Sequence, residues 1–379
     1  MRMSLFVVSI GLCAVTVCAA QPTSFVDSHL EAAVRESMGG PAGEIAVSDL
    51  QELTELVARG REIASLTGLE ACVNLRKLDL GENHIRDLSP LAGLAQLEEL
   101  VLASNEVEDA SPLAGLTNLV KIDLDFNSVK DATPFAGLTR LLWLGLWNSR
   151  ISDVTPLAGL TRLETLGLGG NDIADVAPLG NLLELEWLGL QNNKIHDVSA
   201  LAGMVKLVRL GLEGNGVADI SPLARMTRLV RLGLGGNRVK DLSALSAMTD
   251  LEWLSLWSND VSDLTPLAGL TTLTHLWVDG NAIADIAPLA ALTELTNLGL
   301  ARNRIPDVTA LVGLVALVDL GLSANPIVDL TPLVENPGLG EGDRVTLIDT
   351  PLVLSRSVEG QREIEALRER GVTVIDSGP

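Results

Sequence analysis

One asparagine recurs every 22 residues along most of the chain, and that interval leaves little freedom in what the chain can fold into. Asn83, Asn105, Asn127, Asn171, Asn193, Asn215, Asn237, Asn259, Asn281, Asn303 and Asn325 keep this spacing. The single gap is 44 residues, and there Ser149 holds the ladder position with Asn148 beside it. Self-similarity at a fixed short period is the signature of a solenoid, in which each unit stacks only on its neighbours. Each Asn follows an apolar-x-apolar pair, from Leu78 and Leu80 to Leu320 and Leu322. A second column is all Asp, from Asp87 to Asp329 in steps of 22, followed within three residues by a Pro-Leu or Ala-Leu pair such as Pro90-Leu91, with Pro134-Phe135 in one unit. Twelve units result, preceded by a degenerate one around Leu56, Ala58, Ile63 and Leu69.

The pattern describes one coil per unit. The residue between the paired apolar side chains points outward from a short strand while its neighbours point inward. Successive strands stack into a parallel sheet. The Asn falls where the chain leaves that sheet, and its amide can satisfy backbone groups the ladder no longer serves. Ser or Thr followed by Pro then predicts a short helical turn on the convex side, with the hydroxyl residue as cap. The Asp column reads as a set of local turns in which each carboxylate accepts a backbone N–H. A ladder of metal ligands is the weaker reading, because calcium needs several oxygens converging in one shell.

These units resemble the 22-residue leucine-rich repeats of internalin-type bacterial surface proteins, a subclass shared with a eukaryotic phosphatase-regulating protein. The resemblance covers about residues 45 to 355. It implies an α/β solenoid, a leucine-rich-repeat horseshoe with a parallel concave sheet, short helical or 3-10 convex turns, a helical N-terminal cap and a small α/β C-terminal cap. It also implies recognition of proteins or surfaces without catalysis. No cell-wall sorting signal, immunoglobulin-like module or wall-binding tail is visible, so the host-adhesion role of internalins is not carried over.

Four segments are expected: residues 1–20 as a signal peptide, 21–52 as a helical cap, 53–335 as the solenoid and 336–379 as a C-terminal cap. Arg2 is followed by an apolar run from Leu5 to Val17 and by small residues ending at Ala20, which reads as a cleavable leader and places the protein outside the cytoplasm, secreted or periplasmic. Lipid anchoring through Cys18 is disfavoured, since Val17 is a poor fit to the small residue such a site prefers. The leader run is too short to span a bilayer, and no later transmembrane segment is apparent. Asp27 to Met38 reads as an amphipathic helix ending at Gly39-Gly40. At the other end, Val345 to Thr350 is a worn repeat, followed by a helix near Val358 to Arg370 and an edge segment from Val372 to Ile375.

Charge and chemistry narrow the function. With 27 basic and 49 acidic residues the formal charge is −22, which argues against nucleic acid and anionic membranes as partners. After leader removal only Cys72 remains, in a column of Leu and Met, so it reads as a buried hydrophobe. Four scattered His residues and no nucleophile–base pairing leave no visible catalytic constellation, and neither a cofactor nor a metal is expected.

The concave columns carry the information about function. Three run down the strands, at positions equivalent to Lys77, Asp79 and Gly81. All six Trp residues fall in them: Trp143, Trp187 and Trp253 in the first, Trp277 in the second, Trp147 and Trp257 in the third. The central column is nearly bare, with Gly145, Gly167, Gly189, Gly211 and Gly233 in unbroken succession. Trp favours strands in general, but none of the six takes an inward position where burial is easiest, and exposed Trp commonly anchors a partner. A glycine floor would let a ligand approach the backbone closely. The two aromatic pairs, Trp143 with Trp147 and Trp253 with Trp257, lie five repeats apart, roughly 24 Å at strand spacing. The expected ligand site is therefore Trp143, Trp147, Trp187, Arg209, Arg231, Trp253, Trp257, His275 and Trp277, with Gln191 and Glu213 between. A protein or peptide is the leading partner, a glycan the alternative and a passive envelope scaffold the third reading. An intracellular phosphatase regulator is disfavoured by the leader. Toward the N-terminus Asp79, Glu82, Glu99, Glu106, Asp123 and Asp125 predict an acidic stretch of the same face, with Lys77 and Lys121 interspersed.

Overall fold

The computed structural model describes residues 24–40, 43–355 and 357–377; Met1 to Ala20, and with them the leader and Cys18, lie outside. Within the described residues the chain forms one sheet of 15 parallel strands in sequence order, each three residues long, from Glu55–Val57 to Thr373–Ile375. The 22-residue period sets the register: Lys77 pairs with Glu99, Leu78 with Leu100, and the match repeats coil after coil. Because side chains alternate along a strand, the middle residue of each triplet, usually Leu and otherwise Ile122, Val345 or Val374, faces inward and its two neighbours face the concave surface. The leucine-rich-repeat solenoid expected from the sequence is what the chain forms.

The core is a stack of identical layers. Leu100, Leu102, Leu113 and Leu119 are at most 1% exposed, as are their counterparts in the neighbouring coils. Cys72 is fully buried in this stack, and burial pushes its thiol up to about 12, so it behaves as a small apolar side chain.

The Asn ladder works as a second set of backbone bonds. Asn105 donates from Nδ2 to the carbonyls of Leu80 at 2.9 Å and Leu102 at 3.0 Å, and its Oδ1 accepts from the N–H of Ile85 at 3.0 Å. The chain reaches each ladder position through a left-handed residue, among them Glu82, Phe126, Asn148, Gly170, Asn192, Gly236 and Arg302, which turns it out of the sheet.

On the convex side the coils make 3-10 turns, such as Ser89–Leu91 or Thr155–Gly159, except the last, which makes the short α-helix Thr331–Glu335. The expected hydroxyl cap is corrected here. The turn begins on the Ser or Thr itself, so that residue supplies the free N–H, and the Asp two positions earlier accepts it. Asp87 takes the N–H of Ser89 at 2.8 Å, and all twelve Asp residues do the same at that distance.

Both ends of the sheet are closed. Helix Ser28–Ser37 lays Leu30, Ala33 and Val34 against the first coil, and its N-cap Asp27 accepts from His29 and Leu30 and, through its second oxygen, from Ala64. At the other end strand Thr373–Ile375 pairs with Arg344–Thr346, and helix Val358–Glu369 buries Ile364 and Leu367. Arg370 donates to the carbonyls of Val334 and Asn336, both at 2.6 Å, and to Leu339, pinning this cap to the last full coil.

Candidate ligand-binding face

The strands place the first column in register across the sheet: Trp143, Thr165, Trp187, Arg209, Arg231, Trp253, His275 and Asn297 follow one another at one residue per strand. Arg209 and Arg231 are exposed, whereas Trp143, Trp187, Trp253, His275 and Trp277 are half-buried. Among the six indoles only Trp257 is largely open, at 42%. The structure thus gathers all nine expected residues on one face, but it alters two expectations about that face.

The glycine floor is covered. Gly145, Gly167, Gly189, Gly211 and Gly233 are buried because side chains of the flanking columns lie down on them. A Cβ on Gly145 would sit 2.5 Å from the Trp143 ring and 2.7 Å from Asp125 Oδ1; one on Gly167 would sit 2.7 Å from the Trp147 ring. Gln191 occupies the space above Gly211, Glu213 that above Gly233, and Asp279 that above Gly299. The glycines therefore make room for neighbouring side chains rather than for a ligand backbone, and that is why the indoles are only half exposed. Trp257 differs for a steric reason. The second-column position one coil on is Trp277 instead of Gly, so the Trp257 ring leans back over Gly235 and Gly236 and stays open.

The acidic N-terminal stretch is also rearranged. Glu106 is not on the concave face: it follows the ladder Asn into the loop and binds Arg86 and His84. Glu82 pairs with Arg59 at 2.8 Å and Glu99 with Lys77 at 2.9 Å. Asp125 accepts the N–H of Trp147 at 2.8 Å, and burial lifts its carboxyl to about 6, with the Asp123 charge adding to the rise. Asp279 repeats the device on the N–H of Ala301 at 2.9 Å, and burial raises it too. Sequence reading missed this clamp, although a signal exists. A bulky or polar third-column residue is followed 20 positions later by a second-column Gly at Asp125/Gly145, Trp147/Gly167, Gln191/Gly211, Glu213/Gly233 and Asp279/Gly299.

A cation meets an aromatic ring at one end of the face, and aromatic rings meet one another at the other. The Lys121 ammonium lies 5.1 Å from the Trp143 ring centroid. Trp277 lies 5.1 Å from Trp253 and 5.4 Å from the His275 ring, so these three form one cluster. Between Trp187 and Trp253 a cleft of about 180 Å³ opens, walled by Arg209 and Arg231 and floored by Gln191 and Glu213. Its floor holds two buried acceptors without a hydrogen-bond partner, Gln191 Oε1 and Glu213 Oε2, and burial raises the Glu213 carboxyl. A wider hollow of about 500 Å³ flanks it at Trp143, Thr165, Glu186, Trp187 and Arg209. Such a surface can stack apolar groups, offer guanidinium donors and accept hydrogen bonds. Among the described residues no helix is long and apolar enough to cross a membrane.

Comparison with solved structures places the architecture. An internalin of Listeria monocytogenes, InlF, is 35% identical and superposes with a TM-score of 0.82, covering 85% of this chain and 97% of its own. A leucine-rich-repeat protein of Leptospira interrogans is 20% identical with a TM-score of 0.68, over 86% of this chain and 97% of its own. The ectodomain of the Arabidopsis thaliana receptor kinase GASSHO1/SCHENGEN3, solved in complex with CASPARIAN STRIP INTEGRITY FACTOR 2, is 19% identical, with a TM-score of 0.54 over 86% of this chain and 50% of its own. No protein-family model and no curated protein matches the chain.

Proposed function

Since the chain belongs to the internalin-like leucine-rich-repeat proteins of bacteria, we propose that it is a non-catalytic recognition protein that works outside the cytoplasm and holds a protein or peptide partner on its concave face. The observation that carries this reading is the set of three in-register concave columns between Trp143 and Trp277, where six indoles and two exposed arginines share one surface. Large aromatic and arginine side chains dominate the energetics of protein interfaces. Half-buried indoles held against buried glycines are already ordered, so little conformational freedom is lost when a partner stacks on them. The plant receptor, alike in fold alone, is itself seen with a bound factor.

The test is intrinsic fluorescence. The protein has no Tyr, so emission reports on the indoles, all of which stand in the concave columns. Titration with a panel of extended peptides and of envelope polysaccharides is expected to give a saturable spectral shift with peptides. The paired substitution Trp143→Ala with Trp253→Ala should abolish it while circular dichroism stays unchanged. A shift with polysaccharides alone would overturn the protein-partner reading in favour of glycan binding. A partner that still binds the doubly substituted protein in a pull-down while the remaining four indoles give no spectral shift would move the site off this face.

A further inference from the structure

We propose that Arg209 and Arg231 form a subsite for acidic side chains of the partner segment, an assignment that rests on the concave-face reading above. The first support is their isolation. Acids outnumber bases 49 to 27 in the chain, and the other first-column lysines and arginines have partners. Lys77 pairs with Glu99, Lys121 lies over Trp143, and Arg344 pairs with Asp319. Among the described residues Arg209 and Arg231 are the column's only arginines or lysines without an acidic or aromatic partner.

Their placement is the second support. The two residues are direct neighbours on parallel strands, so like charges stand abreast at about 4.8 Å between backbones, an unfavourable arrangement on a sheet. An anion held between them turns that repulsion into two charge-assisted contacts, and guanidinium geometry suits a carboxylate. Carboxylates on alternate residues of an extended segment are about 6.6 Å apart, a distance that two splayed guanidiniums can meet.

The surroundings add to this. Trp187 and Trp253 close the row on either side, and their indoles would shield a bound carboxylate from water and strengthen its attraction. Glu213 does not neutralise the pair: its carboxylate lies on Gly233, and the groups that favour its charge are the Gln191 side chain and nearby backbone, with no guanidinium among them. The unpartnered Gln191 Oε1 and Glu213 Oε2 line the bottom of the same cleft as acceptors for the segment's N–H groups.

The experiment uses end-blocked peptides of one aromatic-bearing sequence in three versions, with Glu, Gln or Lys at alternate positions, and polygalacturonate as a polyanionic glycan. Affinities are read from indole emission at low and moderate salt. The Glu peptide is expected to bind at least about tenfold tighter than the Gln peptide, the weight of one charge-assisted hydrogen bond, and to weaken as salt rises. Arg209→Gln with Arg231→Gln should remove this preference, bringing the Glu-peptide affinity down to that of the Gln peptide, without lowering the melting temperature, since both side chains are exposed. Equal affinity for the Glu and Gln peptides overturns the acidic subsite and leaves the concave-face reading standing. A preference for Glu that survives the double substitution places the charge recognition elsewhere. Polygalacturonate binding tightly where the Glu peptide does not would overturn the peptide assignment, and silence from every ligand would overturn both readings.

Discussion

At the scale of single residues, half-buried carboxylates show how much this face sacrifices to its own order. Asp125 has no cation of its own: burial raises its carboxyl from an ordinary 3.8 to about 6, against the pull of the Trp147 N–H. A folded-state pKa above the unfolded one means the protonated form is favoured in the fold. The stability tied to Asp125 is therefore full below about pH 4 and is lost as pH rises through 6. Asp125→Asn keeps an acceptor for Trp147 and removes the charge. It should melt higher than the native protein at pH 8, and the difference should shrink as pH falls through 6 toward 4, measured by thermal unfolding of both proteins side by side. The convex aspartates act in the opposite direction: hydrogen bonds from Ser111 hold Asp109 below the usual carboxylate range, so their contribution fades in acid, but it cancels between the two proteins. Which side chains share the concave face was legible because Trp and Arg stand at outward positions of a counted period. The posture of those side chains was not, because it depends on which neighbour covers which glycine, a choice made across coils 20 residues apart.

At the scale of one coil, the ladder position shows what the repeat demands. Each of the eleven Asn residues accepts an N–H from 20 positions earlier in the chain, as Ile151 donates to Asn171. Ser149 is too short to reach, and its Oγ is buried without a partner. Ser149→Asn should restore the rung and add about 1–2 kcal/mol, from one or two net hydrogen bonds, seen as a higher denaturation midpoint. A lower midpoint would mean that the coil holding Trp143 and Trp147 is shaped around the serine. Coil boundaries, inward columns and the role of Asp were all readable from spacing, since identical side chains at identical offsets can only do one job. The identity of the turn cap was not, because whether a 3-10 turn starts on the Ser or after it differs by a single residue.

At the scale of the whole molecule, stacking makes the ends decisive. An open strand edge above a leucine core invites pairing with another chain. Removing residues 336–379 would uncover strand Asp319–Gly321, which now pairs with Arg344–Thr346, together with the last core layer. The truncated protein should aggregate at concentrations where the full chain stays monodisperse, as followed by light scattering; a stable monomer would show that the last coil caps itself. The in-register sheet has a further consequence. Because Trp143 and Trp253 stand on strands that pair strictly residue for residue, the gap between them can change only by inserting or deleting a whole 22-residue unit. The binding face is graduated like a ruler: descendants of this chain can lengthen or shorten their reach by one strand width at a time, about 4.8 Å, and by no smaller step.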